Sequence, residues 1–123
     1  MTSREIFEDI RTYLIEELSD INVKFNMSRN PDELKPRLII IRPQEYDDYE
    51  TFEGDKDSYV YIYVHEKDIL SCIELRESIE YLLSDYCAEQ YRVLTVSDSE
   101  KFQGEVIGQP VVVERIRIKI MQS

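Results

Sequence analysis

Few side chains in this sequence have the types and spacing that catalysis or metal binding requires. His65 is the only histidine, so a zinc centre built on several imidazoles is excluded. A Cys/His nucleophile pair would need Cys72 or Cys87 to leave its place and face His65. The two cysteines lie fifteen positions apart in what the periodicity predicts to be one helix, too far along its axis to be bridged. They read as small apolar residues of a reducing compartment, and His65 as a histidine at a strand end. With only Gly54, Gly104 and Gly108 there is no Gly-rich phosphate loop, and neither a GxSxG nor an HExxH spacing occurs. No metal, no cofactor and no enzymatic activity are expected.

The carboxylates are the conspicuous chemical resource. Between Gln44 and Asp57 the segment QEYDDYETFEGDKD carries Glu45, Asp47, Asp48, Glu50, Glu53, Asp55 and Asp57 against Lys56, a local net of −6. Such oxygens could surround calcium or magnesium, but the spacing does not match a calcium-binding helix-loop-helix loop. The interleaved Tyr46, Tyr49 and Phe52 fit a segment that buries its aromatic rings when a neighbour arrives, and the alternative is a plain solvated loop. A hydrolase with two carboxylates of split acidity would need a pair in one pocket, and the spacing nominates none.

Two rows of side chains complete the inventory. Tyr59, Tyr61 and Tyr63 share one face of an alternating segment. An RNA-stacking sheet would use such a row, but those come with basic flanks and this chain is acidic, so a protein interface fits better; a helix covering the row is the plainer alternative. Arg115, Arg117 and Lys119 form a basic row that is either a solvated strand face or a complement to the acidic segment of another copy, a pairing that closes a head-to-tail ring.

The elements that position these residues follow from periodicity. Thr2 and Ser3 with Glu5 form a capping start, and Ile6, Ile10, Leu14, Leu18 and Ile21 recur at helical spacing. Val23, Phe25 and Met27 predict a short strand, and Leu38 to Ile41 a strand buried on both faces. The clearest strand is Ser58 to His65, with Val60, Ile62 and Val64 alternating against the tyrosines. Ser71 with Glu74 resembles a capping box that opens a helix reaching about Gln90. Tyr91 to Val96 and Val111 to Ile120 close the chain as strands.

The prediction is therefore one α+β domain over residues 1–123, in the order α-β-β-β-α-β-β, with a mobile acidic loop at 44–57 and a second polar loop at 97–110. Strands grouped between helices favour a mostly antiparallel sheet of four to five strands with both helices on one face.

Charge narrows the classes of partner. The 26 acidic and 15 basic side chains give a net charge of −11, which repels phosphate backbones and anionic lipid at long range. Tight binding of duplex DNA and attachment to a membrane are not expected. The opening MTSREIFED interrupts what a signal peptide would need, and no apolar run reaches membrane-spanning length, so a cytosolic protein is expected.

Taken together, the opening helix REIFEDIRTYLIEEL, the strand RLIIIRP before a long loop, and the strand YVYIYVHEKD followed by the helix IELRESIEYLLSDY resemble the tail terminator (tail completion) proteins of long-tailed bacteriophages. The resemblance covers most of the chain and rests on layout. It implies a structural subunit, made in the host cytoplasm and carried in the virion tail, that forms a hexameric ring. That ring caps the tail tube, joins it to a head-completion protein and leaves a channel through which DNA passes without being held. The acidic surplus would then keep the duplex sliding. Another phage neck or head-completion subunit, and an acidic regulatory protein that mimics nucleic acid, are the competing readings.

Overall fold

The structure is a computed structural model that describes residues 3–25, 30, 34–43, 57–84, 86–88, 91–106 and 108–122. Along the chain run α1 (Ser3–Glu17), β1 (Asn22–Lys24), β2 (Leu38–Pro43), β3 (Asp57–Glu66), α2 (Ile69–Leu83), β4 (Tyr91–Val106) and β5 (Gln109–Gln122). The fold is α+β, two helices with one five-stranded mixed sheet. Across the sheet the order is β1-β2-β3-β5-β4, which differs from the order along the chain because β5 inserts between β3 and β4. β1 runs parallel to β2, and the remaining neighbours are antiparallel.

Both helices pack on one face. Ile6, Ile10 and Leu14 of α1, spaced by four, and Cys72, Leu75, Ile79 and Leu83 of α2 meet the inward residues of the sheet. Those include Ile39 and Ile41, Val60, Ile62 and Val64, and Ile116, Ile118 and Ile120. In β2 the four residues Leu38 to Ile41 are all 0% exposed, as their unbroken apolar run requires.

The helix termini differ from expectation. α1 stops at Glu17, short of Leu18 and Ile21, and Asp20 takes a positive φ of 51° where the chain turns into β1, a conformation short polar residues tolerate. The cap of α2 is Asp68 and not Ser71: its carboxylate accepts from the Ser71 backbone N–H at 2.8 Å and from the Ser71 hydroxyl at 3.0 Å. Ser71 lies one turn inside, the donor of the cap. These bonds hold the Asp68 carboxyl below its usual acidity range.

α2 also ends at Leu83, not near Gln90. The chain instead doubles back, and the Val93 N–H bonds to the Tyr86 carbonyl while the Ala88 N–H bonds to that of Tyr91. Cys87 is thus exposed outside the helix, and only Cys72 is buried.

The polar loop expected over 97–110 is strand: β4 continues to Val106 and β5 begins at Gln109. Gly108, at φ 73°, supplies the turn. Lys101 to Glu105 are exposed, as suits an outermost strand, and the polar composition reflects that edge position and not irregular backbone. The acidic loop predicted at 44–57 lies, apart from Asp57 in β3, outside the described residues.

Candidate functional site

The sheet face turned away from the helices gathers both of the rows singled out in the sequence. Antiparallel register places Tyr63 opposite Arg115, Tyr61 opposite Arg117 and Tyr59 opposite Lys119. On the other flank of β3, Ile40 meets Tyr63 and Arg42 meets Tyr61. Because β-strand side chains alternate, the side chains of Ile40, Arg42, Tyr61, Tyr63, Arg115, Arg117 and Lys119 point to one side.

The Arg115 guanidinium carbon sits 4.6 Å from the centre of the Tyr61 ring. That is a cation–π contact, worth roughly 0.5–2 kcal/mol depending on its desolvation. The Tyr61 and Tyr63 rings lie 6.5 Å apart and tilted by 59°, and both are half-buried. Arg42 was missed in the sequence, although the alternation from Leu38 through Ile40 already assigned it to the tyrosine side. The structure thus brings Tyr61, Tyr63, Arg115 and Arg117 together as a cationic, aromatic face. Glu45, Asp47, Asp48, Glu50, Glu53 and Asp55 lie outside the described residues, as do the side chains of Asp57 and Tyr59.

Towards the end of the same face lies His65, 5% exposed, between Leu38 of β2 and Val113 of β5. Both of its ring nitrogens are buried without a hydrogen-bond partner. Burial pushes its pKa down to about 4, so the ring is neutral at pH 7. Cys72 belongs to the opposite face, its thiol directed at the carbonyls of Val64 and Val112 at 3.5 and 3.6 Å. Burial pushes that thiol up to about 11, so it stays protonated at pH 7, and the sheet separates it from His65.

Two charged clusters pin the helix layer. Glu114, 1% exposed, interrupts the aliphatic inward row of β5. The Arg76 Nε of α2 donates to it at 2.7 Å and Arg76 Nη1 to Glu80 at 2.6 Å, with Lys101 Nζ of β4 at 3.6 Å from Glu114. At the far end Asp9 of α1 accepts hydrogen bonds from the Tyr91 hydroxyl and, at 3.1 Å, from that of Tyr86. Tyr86 in turn stacks on Tyr13, ring centres 4.2 Å apart. Burial first, and then Asp9, raises the pKa of both Tyr86 and Tyr91. Each cluster satisfies its own members, which is the signature of a structural clasp.

Among the described residues no three His, Cys, Asp or Glu side chains converge to hold a metal ion, and no helix is long and apolar enough to cross a membrane. No protein-family model and no curated protein matches the chain. The sheet face away from the helices combines aromatic rings with guanidinium groups, and the Arg115–Tyr61 contact is its closest described pairing.

Proposed function

We propose that this chain is a structural subunit of phage assembly, a ring-forming tail terminator that caps the tail tube and joins it to the head while leaving a channel for DNA. The observation that carries the reading is the sheet face opposite the helices, where Tyr61 and Tyr63 lie in register with Arg117 and Arg115. Tyrosine and arginine are the residues that protein interfaces concentrate at their cores. A cationic face on a chain of net charge −11 gives every copy both halves of a complementary contact, which favours head-to-tail association and ring closure.

In this reading the tail-tube protein and a head-completion protein meet the two rims of a hexameric ring, the protein moves from host cytoplasm to virion, and no cofactor or catalytic residue is involved. The acidic segment from Glu45 to Asp57 contributes to a subunit contact or to the lumen, where carboxylates keep DNA phosphates from sticking.

Charge reversal tests the face. The double substitution Arg115→Glu, Arg117→Glu should leave the circular dichroism spectrum intact and reduce self-association by at least tenfold in sedimentation velocity. Association as strong as that of the unaltered chain would reject this face as the subunit contact.

A further inference from the structure

We propose that the acidic groove between the end of α1 and α2 is the other half of the subunit contact, the surface on which the next copy of this chain seats its cationic, aromatic sheet face. The inference rests on the reading of that face as a subunit contact and adds the surface that receives it.

α2 buries Cys72, Leu75, Ile79 and Leu83, which leaves Glu74, Glu77 and Tyr81, spaced by three and four, together on its solvent side. Where that stripe passes the end of α1, Glu17 and the half-buried Leu18 and Leu82 complete a groove. Among the described residues three carboxylates and no cation line it. On the same layer Arg37 is bonded to Glu66, and Arg76 to Glu80 and Glu114, while Lys67 borders the adjoining hollow that Glu74 shares. Tyr81 is 83% exposed, the highest value among the large apolar side chains described. A ring so exposed beside two leucines, within a charged border, has the composition of a protein interface.

The sheet face supplies the matching chemistry. By register it carries Arg42, Arg115, Arg117 and Lys119, against Glu100 opposite Arg115 and Asp57 at the start of β3, so cations outnumber carboxylates where the groove has carboxylates alone. Neither surface suits a second copy of itself, because cations would then meet cations and carboxylates meet carboxylates. Each suits the other, which makes the contact heterologous, the kind that propagates head to tail. It also completes a familiar layering: the sheet has its own helices on one face, and the next copy's helix pair covers the second. Tyr81 then lies against Tyr61 and Tyr63 among guanidinium groups, where aromatic and cation–π contacts add to the charge pairing.

Sedimentation velocity on charge-reversed variants tests the pairing, with tail-tube protein added if the chain alone is monomeric. Glu74→Lys, Glu77→Lys should weaken self-association by about tenfold or more. It should do so although it brings the acidic chain nearer to neutrality, which by itself favours association. Glu8→Lys, Glu105→Lys makes the same change of charge at exposed positions outside both surfaces and should not weaken association. Tyr81→Ser should weaken it without lowering the thermal midpoint, since the ring is exposed in the single chain. The decisive sample is an equimolar mixture of Glu74→Lys, Glu77→Lys with Arg115→Glu, Arg117→Glu. Each variant alone should fail to associate, and in the mixture the reversed groove meets the reversed face, so association should return.

A groove variant that associates as the native chain does, or loses no more than the control at Glu8 and Glu105, puts the acidic half elsewhere, for instance in the segment from Glu45 to Asp57. That result overturns the proposal and leaves the sheet-face reading standing, and so does a mixture in which association stays lost. Native-strength association of Arg115→Glu, Arg117→Glu, or a native chain that stays monomeric with and without tail-tube protein, removes the sheet-face reading and this proposal with it. Should Arg115→Glu, Arg117→Glu fold poorly, the groove variant, Tyr81→Ser and the control still decide the matter, all being at exposed positions.

Discussion

Two ion pairs of the same chemistry differ in what their loss should do. Arg76 and Glu114 meet with side chains 19% and 2% exposed, whereas Arg4 and Glu8 meet at 86% and 53%. Arg76→Met leaves the Glu114 carboxylate against the helix layer with Lys101, at 3.6 Å, as its remaining ion-pair partner among the described residues, and is expected to cost about 3 kcal/mol in urea unfolding. Arg4→Met should cost less than about 0.5 kcal/mol, because solvent already screens that pair. The Asp9 clasp makes a prediction in alkali. Tyr91 and Tyr86 keep their protons in the folded state beyond the usual range, so their contribution to stability is complete below about pH 10 and is lost as pH rises further. Tyr91→Phe should cost about 1–2 kcal/mol at neutral pH. The same substitution should flatten the alkaline decline, with tyrosinate absorbance reporting the titration. Neither clasp was legible in the sequence. Glu114 sits in VVVERIRIKI, where alternation assigns it correctly to the inward face, but only the position of Arg76 across the interface explains a carboxylate there.

At the scale of elements, legibility followed the strength of the periodic signal. β3 and the buried stripe of α1 were readable because apolar residues recur at two and at four with polar residues between. The first part of β4, Tyr91 to Val96, was read as a strand, but its continuation was not, because an outermost strand has one edge and one face in water and its residues from Ser97 to Glu105 look like a loop. The end of α2 was missed for a related reason. Tyr86 continues the helical stripe in sequence, yet its ring stacks on Tyr13 and its backbone carbonyl accepts from Val93, so tertiary contacts override a weak local preference. The core and the hairpin give the predictions that belong here. Ile79→Ala, at a fully buried position under the sheet, should cost about 2–5 kcal/mol. Gly108→Ala places a Cβ at a φ of 73° and should cost about 1 kcal/mol, even though nothing lies within 4 Å of that Cβ. Thermal unfolding of the two variants separates lost packing from backbone strain.

For the whole molecule, the distribution of charge matters more than its sum. The chain is acidic overall, yet the sheet face away from the helices collects Arg42, Arg115, Arg117 and Lys119 around its tyrosines. The two rows were visible in the sequence as separate alternations. That they share one face required the pairing of β3 with β5, which the order along the chain does not dictate. A contact built on such complementarity should weaken as salt is added, since the screening length falls from about 10 Å at 0.1 M to about 3 Å at 1 M. The central claim is that copies of this chain associate into a closed ring. It is tested most directly by light-scattering mass across a concentration series, with negative-stain microscopy of the same fractions and of fractions mixed with tail-tube protein. A mass of several chains together with annular particles is the predicted result. A strict monomer at every concentration, with tail-tube protein present as well as absent, would contradict it.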